Sequence, residues 1–137
     1  MAKQVITNPV IVIGSGTVSA NCAQVTINLT AEDVDTTNFG SLGWKERVAG
    51  LKDGSVSFEW QNDYAAAALD STFFPLLGTA VAFSIKPAST AATGSSNPIY
   101  SGTLLVTEYS PVDSAVGDLA TFSTTWPTVG AVARATA

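Results

Sequence analysis

Apolar and polar residues alternate along most of this chain, and the dominant period is two rather than 3.6. The clearest run is Ser55–Gln61: Val56, Phe58 and Trp60 fall on one side, with Ser55, Ser57, Glu59 and Gln61 on the other. In "CAQVTINLT", Val25, Ile27 and Leu29 oppose Gln24, Thr26, Asn28 and Thr30. "TAVAFSIKP" places Val81, Phe83 and Ile85 together, and Phe122, Thr124 and Trp126 alternate with Thr121, Ser123 and Thr125. "PVIVIG" and "IYSGTLLVTEYS" complete a set of six or seven strands. Turn-forming residues bound them: Gly14-Ser15-Gly16, the small-residue loop "ASTAATGSSNP", and Pro111 to Gly117.

One segment has helical character. In "NDYAAAALDSTFFPLLG", Asn62 or Asp63 can cap the free N–H groups of a first turn, and four alanines favour helix. Leu69, Phe73 and Leu76 recur at i, i+4 and i+7 and share a face. Pro75 cannot continue the ladder, so the helix is expected to end near Phe74. Strands in runs, interrupted once by a helix, predict a mainly β single domain over 1–137. The expected fold is an antiparallel β-sandwich or partly closed barrel with one flanking helix at about 63–74. Between about 31 and 54, "AEDVDTTNFGSLGWKERVAGLKDG" shows no sustained period and reads as a long loop arm. Asp53-Gly54 before the alternating run reads as its closing turn.

Composition narrows the function. Charged residues make up 12% of the 137 residues, against roughly a quarter in typical soluble domains. Ser and Thr number 31 and Ala 20, so polarity comes from hydroxyls and amides. A surface this poor in charge suits an assembly better than a monomer. The net charge of −5 argues against general nucleic-acid binding, which needs a basic footprint. One cysteine, Cys22, excludes an intrachain disulfide and a cysteine zinc site, and it reads as a small core or boundary residue. No run approaches the ~20 apolar residues of a membrane span, and no secretory leader is evident in "MAKQVITNP", so synthesis in a cytoplasm is expected. Without a leader, the sequon Asn28-Leu29-Thr30 carries no meaning.

Motifs of catalysis and ligand binding fail on inspection. "GSGTVS" offers Gly14 and Gly16 but Ser19 in the third position and no following helix, so it is a turn and not a dinucleotide site. "DVDTTNF" starts like a calcium loop at Asp33 and Asp35, yet Asn38 and Trp44 occupy the glycine and closing glutamate positions. A solvated acidic loop is the simpler reading, and no metal or cofactor is expected. There is no histidine, the commonest acid–base group near neutral pH, and no spacing marks a nucleophile with its base or a carboxylate pair. The chain is not expected to be an enzyme. Trp60 and Trp126, on apolar strand faces, are expected in the core. Trp44, beside Lys45, Glu46 and Arg47, is either a plug closing the core or a contact residue.

Several elements, in order and spacing, resemble the major tail tube proteins of long-tailed (siphovirus-type) bacteriophages in their short single-domain form. They are Phe39-Gly40, Gly43-Trp44, Ala49 to Val56, Trp60, Pro75-Leu76-Leu77-Gly78-Thr79, Tyr100-Ser101-Gly102 and Gly117-Asp118. The likeness spans about residues 30 to 130. It implies a β-sandwich with one helix, six subunits closing a ring around a β-lined lumen, and rings stacked into a tube that conducts DNA during ejection. It further implies a virion-tail location, partners among tape-measure, tail-terminator and baseplate or tip proteins, and DNA met only in transit. Under this resemblance Asp33, Asp35, Phe39, Trp44, Lys45, Glu46 and Arg47 belong to an arm gripping a neighbour, with Arg47 the best carboxylate partner. Ser55, Ser57, Glu59 and Gln61 become candidate lumen or subunit-facing positions. Two other readings remain open: a tube subunit of a type VI-like secretion or toxin-delivery machine, and a carbohydrate-binding β-sandwich using Trp44 and Tyr100 as a platform.

Overall fold

The alternating segments become strands of two antiparallel sheets. A computed structural model describes residues 5–14, 16–64, 68–89, 92–94 and 96–136. One sheet orders β1 (Val10–Ile13), β2 (Gly16–Thr17), β5 (Ala80–Lys86), β6 (Ile99–Leu105) and β8 (Ala133–Ala135) as β2-β1-β5-β6-β8. The other orders β3 (Cys22–Asp35), β4 (Arg47–Gln61) and β7 (Thr121–Pro127) as β3-β4-β7. The sheets face each other as an open sandwich and do not close into a barrel.

The inward faces follow the alternation. Ile11, Ile13, Val81, Phe83, Ile85 and Leu104 from the first sheet meet Val56, Phe58, Trp60, Phe122 and Trp126 from the second, all buried. Trp60 stacks on Phe58 with ring centroids 4.7 Å apart. A buried indole needs a hydrogen-bond acceptor. Thr124 stands at a core position of β7 and takes the Trp60 Nε1–H on its Oγ1 at 3.0 Å. The Trp126 Nε1–H goes to the Glu108 carbonyl, also at 3.0 Å.

The helix is shorter than the sequence predicts. α1 spans Leu69–Phe73 and passes into a 3-10 turn, Phe74–Leu76, as the proline requires. Leu69 and Phe73 are buried, and the Phe73 ring meets Trp60 edge-on at 5.0 Å. The N-cap of α1 is Ala68, with no side-chain cap hydrogen bond. Asn62 extends the sheet, its N–H donating to the Ala120 carbonyl at 2.8 Å and its side-chain amide to the Pro111 carbonyl at 3.0 Å. Ala65–Ala67, on which the early helix start depended, lie outside the described residues.

The stretch from 31 to 54 is a β-ribbon for most of its length and not a loop. β3 and β4 stay paired past the sandwich until Asp35 faces Arg47. Backbone pairing needs no hydrophobic period, and a ribbon exposed on both faces imposes none, so the pattern was silent here. Lys52, Asp53 and Gly54 sit inside β4 opposite Ala31, Thr30 and Leu29, and make no turn. Gly54 serves close approach: a Cβ there would lie 2.8 Å from Leu29 Cδ2 and 3.1 Å from Thr128 Oγ1. Farther out the pairing steps from Ala31–Lys52 to Asp33–Ala49, so Gly50 and Leu51 together oppose Glu32. This bulge moves Arg47 to the side of the ribbon that carries Asp33 and Ala31.

The C-terminal segment supplies β8, three residues held to β6. Before it, the chain crosses between the sheets. The Thr128 N–H donates to the Gly54 carbonyl at 2.9 Å, and the Val129 N–H donates to the Thr103 carbonyl at 2.8 Å.

Candidate assembly surfaces

Among the described residues, three surfaces stand out as lacking an internal partner, and each traces to a local feature of the sequence. The first is the tip of the ribbon. Phe39–Ser41 form a 3-10 turn with a reciprocal cap: the Asn38 side chain accepts from the Gly40 N–H at 2.8 Å, and the Ser41 hydroxyl accepts from the Asn38 N–H at 3.1 Å. Leu42 adopts the left-handed conformation, φ 54°, that ends this turn. The result is a defined tip that displays Phe39 (105% exposed), Leu42 (85%) and Trp44 (78%) to solvent. Trp44 is therefore not a plug for the core. Apolar side chains exposed on one ordered projection make the tip a candidate interaction surface.

Charged residues lock the base of the tip. Lys45 Nζ lies 3.5 Å from Asp35 and Arg47 Nε lies 3.1 Å from Asp33. The Asp35 carboxylate also accepts the Thr37 N–H at 2.9 Å. The Thr37 hydroxyl and backbone N–H, with Lys45 nearby, hold the Asp35 carboxyl below its ordinary range. Glu46 is tied by its backbone, its N–H donating to Thr37 Oγ1 at 2.8 Å, while its carboxylate has no ion partner among the described residues. The predicted arm residues Asp33, Asp35, Phe39, Trp44, Lys45, Glu46 and Arg47 thus all lie on the outer ribbon.

The second surface is the outward face of the three-stranded sheet. Ser55, Ser57, Glu59 and Gln61 do share it, as predicted. By register they stand beside Gln24, Thr26 and Asn28 of β3 and Thr121, Ser123 and Thr125 of β7. Glu59 is the one ionisable group among these ten. The Ser57 and Thr125 hydroxyls are 3.1 Å apart. The strand assignments had found the polar positions separately; only the pairing joins them into one face.

The third surface is an edge. The five-stranded sheet ends in strands of two and three residues, β2 and β8, too short to template another chain. On the far side of β7, the Glu108 carboxylate takes the Thr125 N–H at 2.7 Å. β3 is different. It runs for 14 residues and pairs with β4 alone among the described residues. From Cys22 to Ala31 it carries no charge, so the usual protection against edge pairing is missing. Cys22 begins this strand half-buried, and burial pushes its thiol pKa up.

The carbohydrate platform does not form. Trp44 is in the ribbon turn, while Tyr100 is half-buried in β6 on the core-facing side shared with Leu104 and Ile85. No described helix is long and apolar enough to cross a membrane.

No protein-family model matches the chain, and no curated protein matches it in sequence. Its fold is found among solved structures. A chain from the virion of a native gene transfer agent particle superposes with a TM-score of 0.70 at 19% identity, covering 90% of this chain and 94% of that one. A chain from the tail of an empty gene transfer agent particle, determined by helical refinement with C6 symmetry, gives 0.66 at 21% identity, covering 86% and 84%. At that identity the shared feature is the fold, and it extends over nearly the whole chain.

Proposed function

We propose that this chain is the structural subunit of a tail tube in a phage or phage-like particle, building stacked hexameric rings around a lumen that conducts DNA. The observation that carries this reading is the edge of β3 over Cys22 to Ala31, uncharged and without a second strand partner among the described residues, on the same sheet whose outward face is hydroxyl and amide. Docking that edge on a neighbouring copy covers it, and closing the series into a ring leaves no such edge exposed. The outward face then lines the interior. A conduit for DNA must not hold it: lysines and arginines would bind phosphates and resist passage, whereas Ser, Thr, Asn and Gln with a scattered carboxylate do not.

Support also comes from the similar fold of a chain in a tail solved with C6 symmetry, and from the tail-tube resemblance of the sequence. In this role the protein is not an enzyme and needs no cofactor. It belongs to the virion tail, and its partners are its own copies and the tape-measure, terminator and tip proteins that bound a tube. Negative-stain microscopy of purified protein across a range of concentration and salt tests the reading. Rings or tubes with sixfold end views are expected; a species that stays monomeric throughout would sink it.

A further inference from the structure

The two outer strands of the three-stranded sheet are not equally open. β3 runs uncharged from Cys22 to Ala31, with no second strand beside it among the described residues. β7 ends in Pro127, which has no N–H to offer. Its Thr125 N–H points away from β4 and is taken by the Glu108 carboxylate at 2.7 Å. The residues around Glu108 fix its backbone there. Val106 is buried, its carbonyl accepting the Gly78 N–H at 2.8 Å and its N–H donating to the Thr79 carbonyl at 2.9 Å. The Glu108 carbonyl accepts the Trp126 indole N–H at 3.0 Å. Tyr109 packs edge-on against Phe73 and Phe122, and its hydroxyl donates to the Asp70 carboxylate. Between these anchors Glu108 is exposed, so its side chain can swing into solvent while the backbone stays in place.

Resting on the tube reading, we infer that Glu108 is a gate on the β7 edge, and that the strand it admits is β3 of a second copy. Its carboxylate caps the Thr125 N–H in the free subunit and withdraws when the neighbour's strand supplies a backbone carbonyl in its place. The sidedness of the two strands matches. β3 and β7 each run antiparallel to β4 and therefore point the same way, so a copy rotated about a ring axis brings its β3 beside β7 in parallel. Gln24, Thr26 and Asn28 then continue the polar face of Ser123 and Thr125. Val25 and Ile27 continue the apolar face of Phe122 and Trp126. Neither β7 nor the stretch from Cys22 to Ala31 carries a charge, so nothing repels. The two edges are different patches of one molecule, which makes the contact head-to-tail and able to close a ring. Until then a charge-assisted hydrogen bond, stronger than a neutral one, keeps the β7 edge from pairing with any strand it meets.

Two experiments on the full chain test this. In free subunits of Glu108→Ala, the Thr125 amide should exchange about tenfold faster than in the parent, and tubes should grow from a protein concentration about tenfold lower, because one charge-assisted hydrogen bond no longer opposes docking. Glu108→Gln keeps an acceptor oxygen without the charge and should shift both readouts the same way by less. It carries the test if thermal melts show that the alanine variant does not fold. A carboxylate that only braces the monomer would, on removal, leave the assembly threshold unchanged or raise it, and either result overturns the gate. Separately, in a Cys22→Ser background, subunits carrying Thr26→Cys are mixed with subunits carrying Ser123→Cys and treated with a short bismaleimide. Linked dimers are expected in assembled tubes, with none in dissociated subunits or in tubes of either variant alone. Mixed tubes without dimers overturn the pairing of β3 with β7 and leave the tube reading standing. A parent protein that never assembles brings down the tube reading, and this inference with it.

Discussion

The two halves of β4 belong to one strand and share one partner, yet they live under different rules. From Ser55 to Gln61 the strand is flanked by β3 and β7, and its apolar side is covered by the opposite sheet. From Arg47 to Asp53 it pairs with β3 alone, and its side chains stand in solvent. The inner half earns its stability from burial; the outer half is held by a backbone ladder, a capped turn and exposed ion pairs. Surface ion pairs contribute little, and a two-stranded ribbon alone is marginal in water. The inner half therefore anchors the outer, and the outer half presents its side chains to solvent.

The largest test of this contrast sets one tryptophan against another. Trp60 is fully buried among Phe58, Phe73, Phe122 and Trp126. Trp60→Ala removes those contacts, opens a cavity and strands the Thr124 hydroxyl, so a loss of about 3–5 kcal/mol is expected in urea unfolding. Trp44→Ala deletes the same side chain from the tip, where it touches solvent. Monomer stability should change by no more than about 0.5 kcal/mol, while under the proposed tube role assembly should be lost. A destabilisation of Trp44→Ala comparable to that of Trp60→Ala would show that the ribbon is not separate from the core.

Sequence patterning revealed the inner half and missed the outer for the same physical reason. Period two is written into a strand only where one face is buried and the other wet. Val56, Phe58, Trp60, Phe122 and Trp126 obey that condition, and their burial was legible. Ala49, Gly50, Leu51, Lys52 and Asp53 do not, so a 15-residue strand looked like a short one preceded by a loop. Asp53-Gly54 misled for a related reason: the pair also marks hairpin turns, and only the approach of Leu29 and Thr128 shows what the glycine is for. Candidate arm residues could be named from the family resemblance, but the bulge that sets the side of Arg47 depends on register, which the chain does not advertise.

Gly54 marks the boundary, and a side chain there should sharpen it. In Gly54→Val the new Cβ meets Leu29 and Thr128 well inside van der Waals distance. Relief requires moving Leu29 or the Thr128 crossing that donates to the Gly54 carbonyl. A loss of about 1–3 kcal/mol is expected, with hydrogen exchange rising first at Thr128 and Val129 and in the ribbon, and last at Phe58 and Trp60. Uniform exchange across β4 would mean that the two halves open together and that the boundary has no energetic meaning.

The smallest effects concern pH, and they have opposite signs in the two regions. In the sandwich, burial and a hydrogen bond to the Asp70 carboxylate push the Tyr109 hydroxyl up to about 12 from 10.0. A group whose folded pKa is raised contributes stability that is complete below its unfolded value and lost as pH rises through the folded one. Global stability should therefore fall between about pH 10 and 12 by more in the parent than in Tyr109→Phe. On the ribbon, Asp35 is depressed by the Thr37 hydroxyl, the Thr37 N–H and Lys45. Its contribution is present above the ordinary aspartate value of 3.8 and is lost as pH falls below it. Because Asp35 is exposed and belongs to the anchored half's appendage, that loss should stay local: the Thr37 amide should exchange faster than the base-catalysed trend predicts as the carboxyl protonates, with no change in the unfolding midpoint beyond what Asp35→Asn also shows. If acid titration of Asp35 shifted the global midpoint as much as alkaline titration of Tyr109, tip and core would be energetically coupled, and the ribbon could not serve as an arm whose conformation is independent of the sandwich.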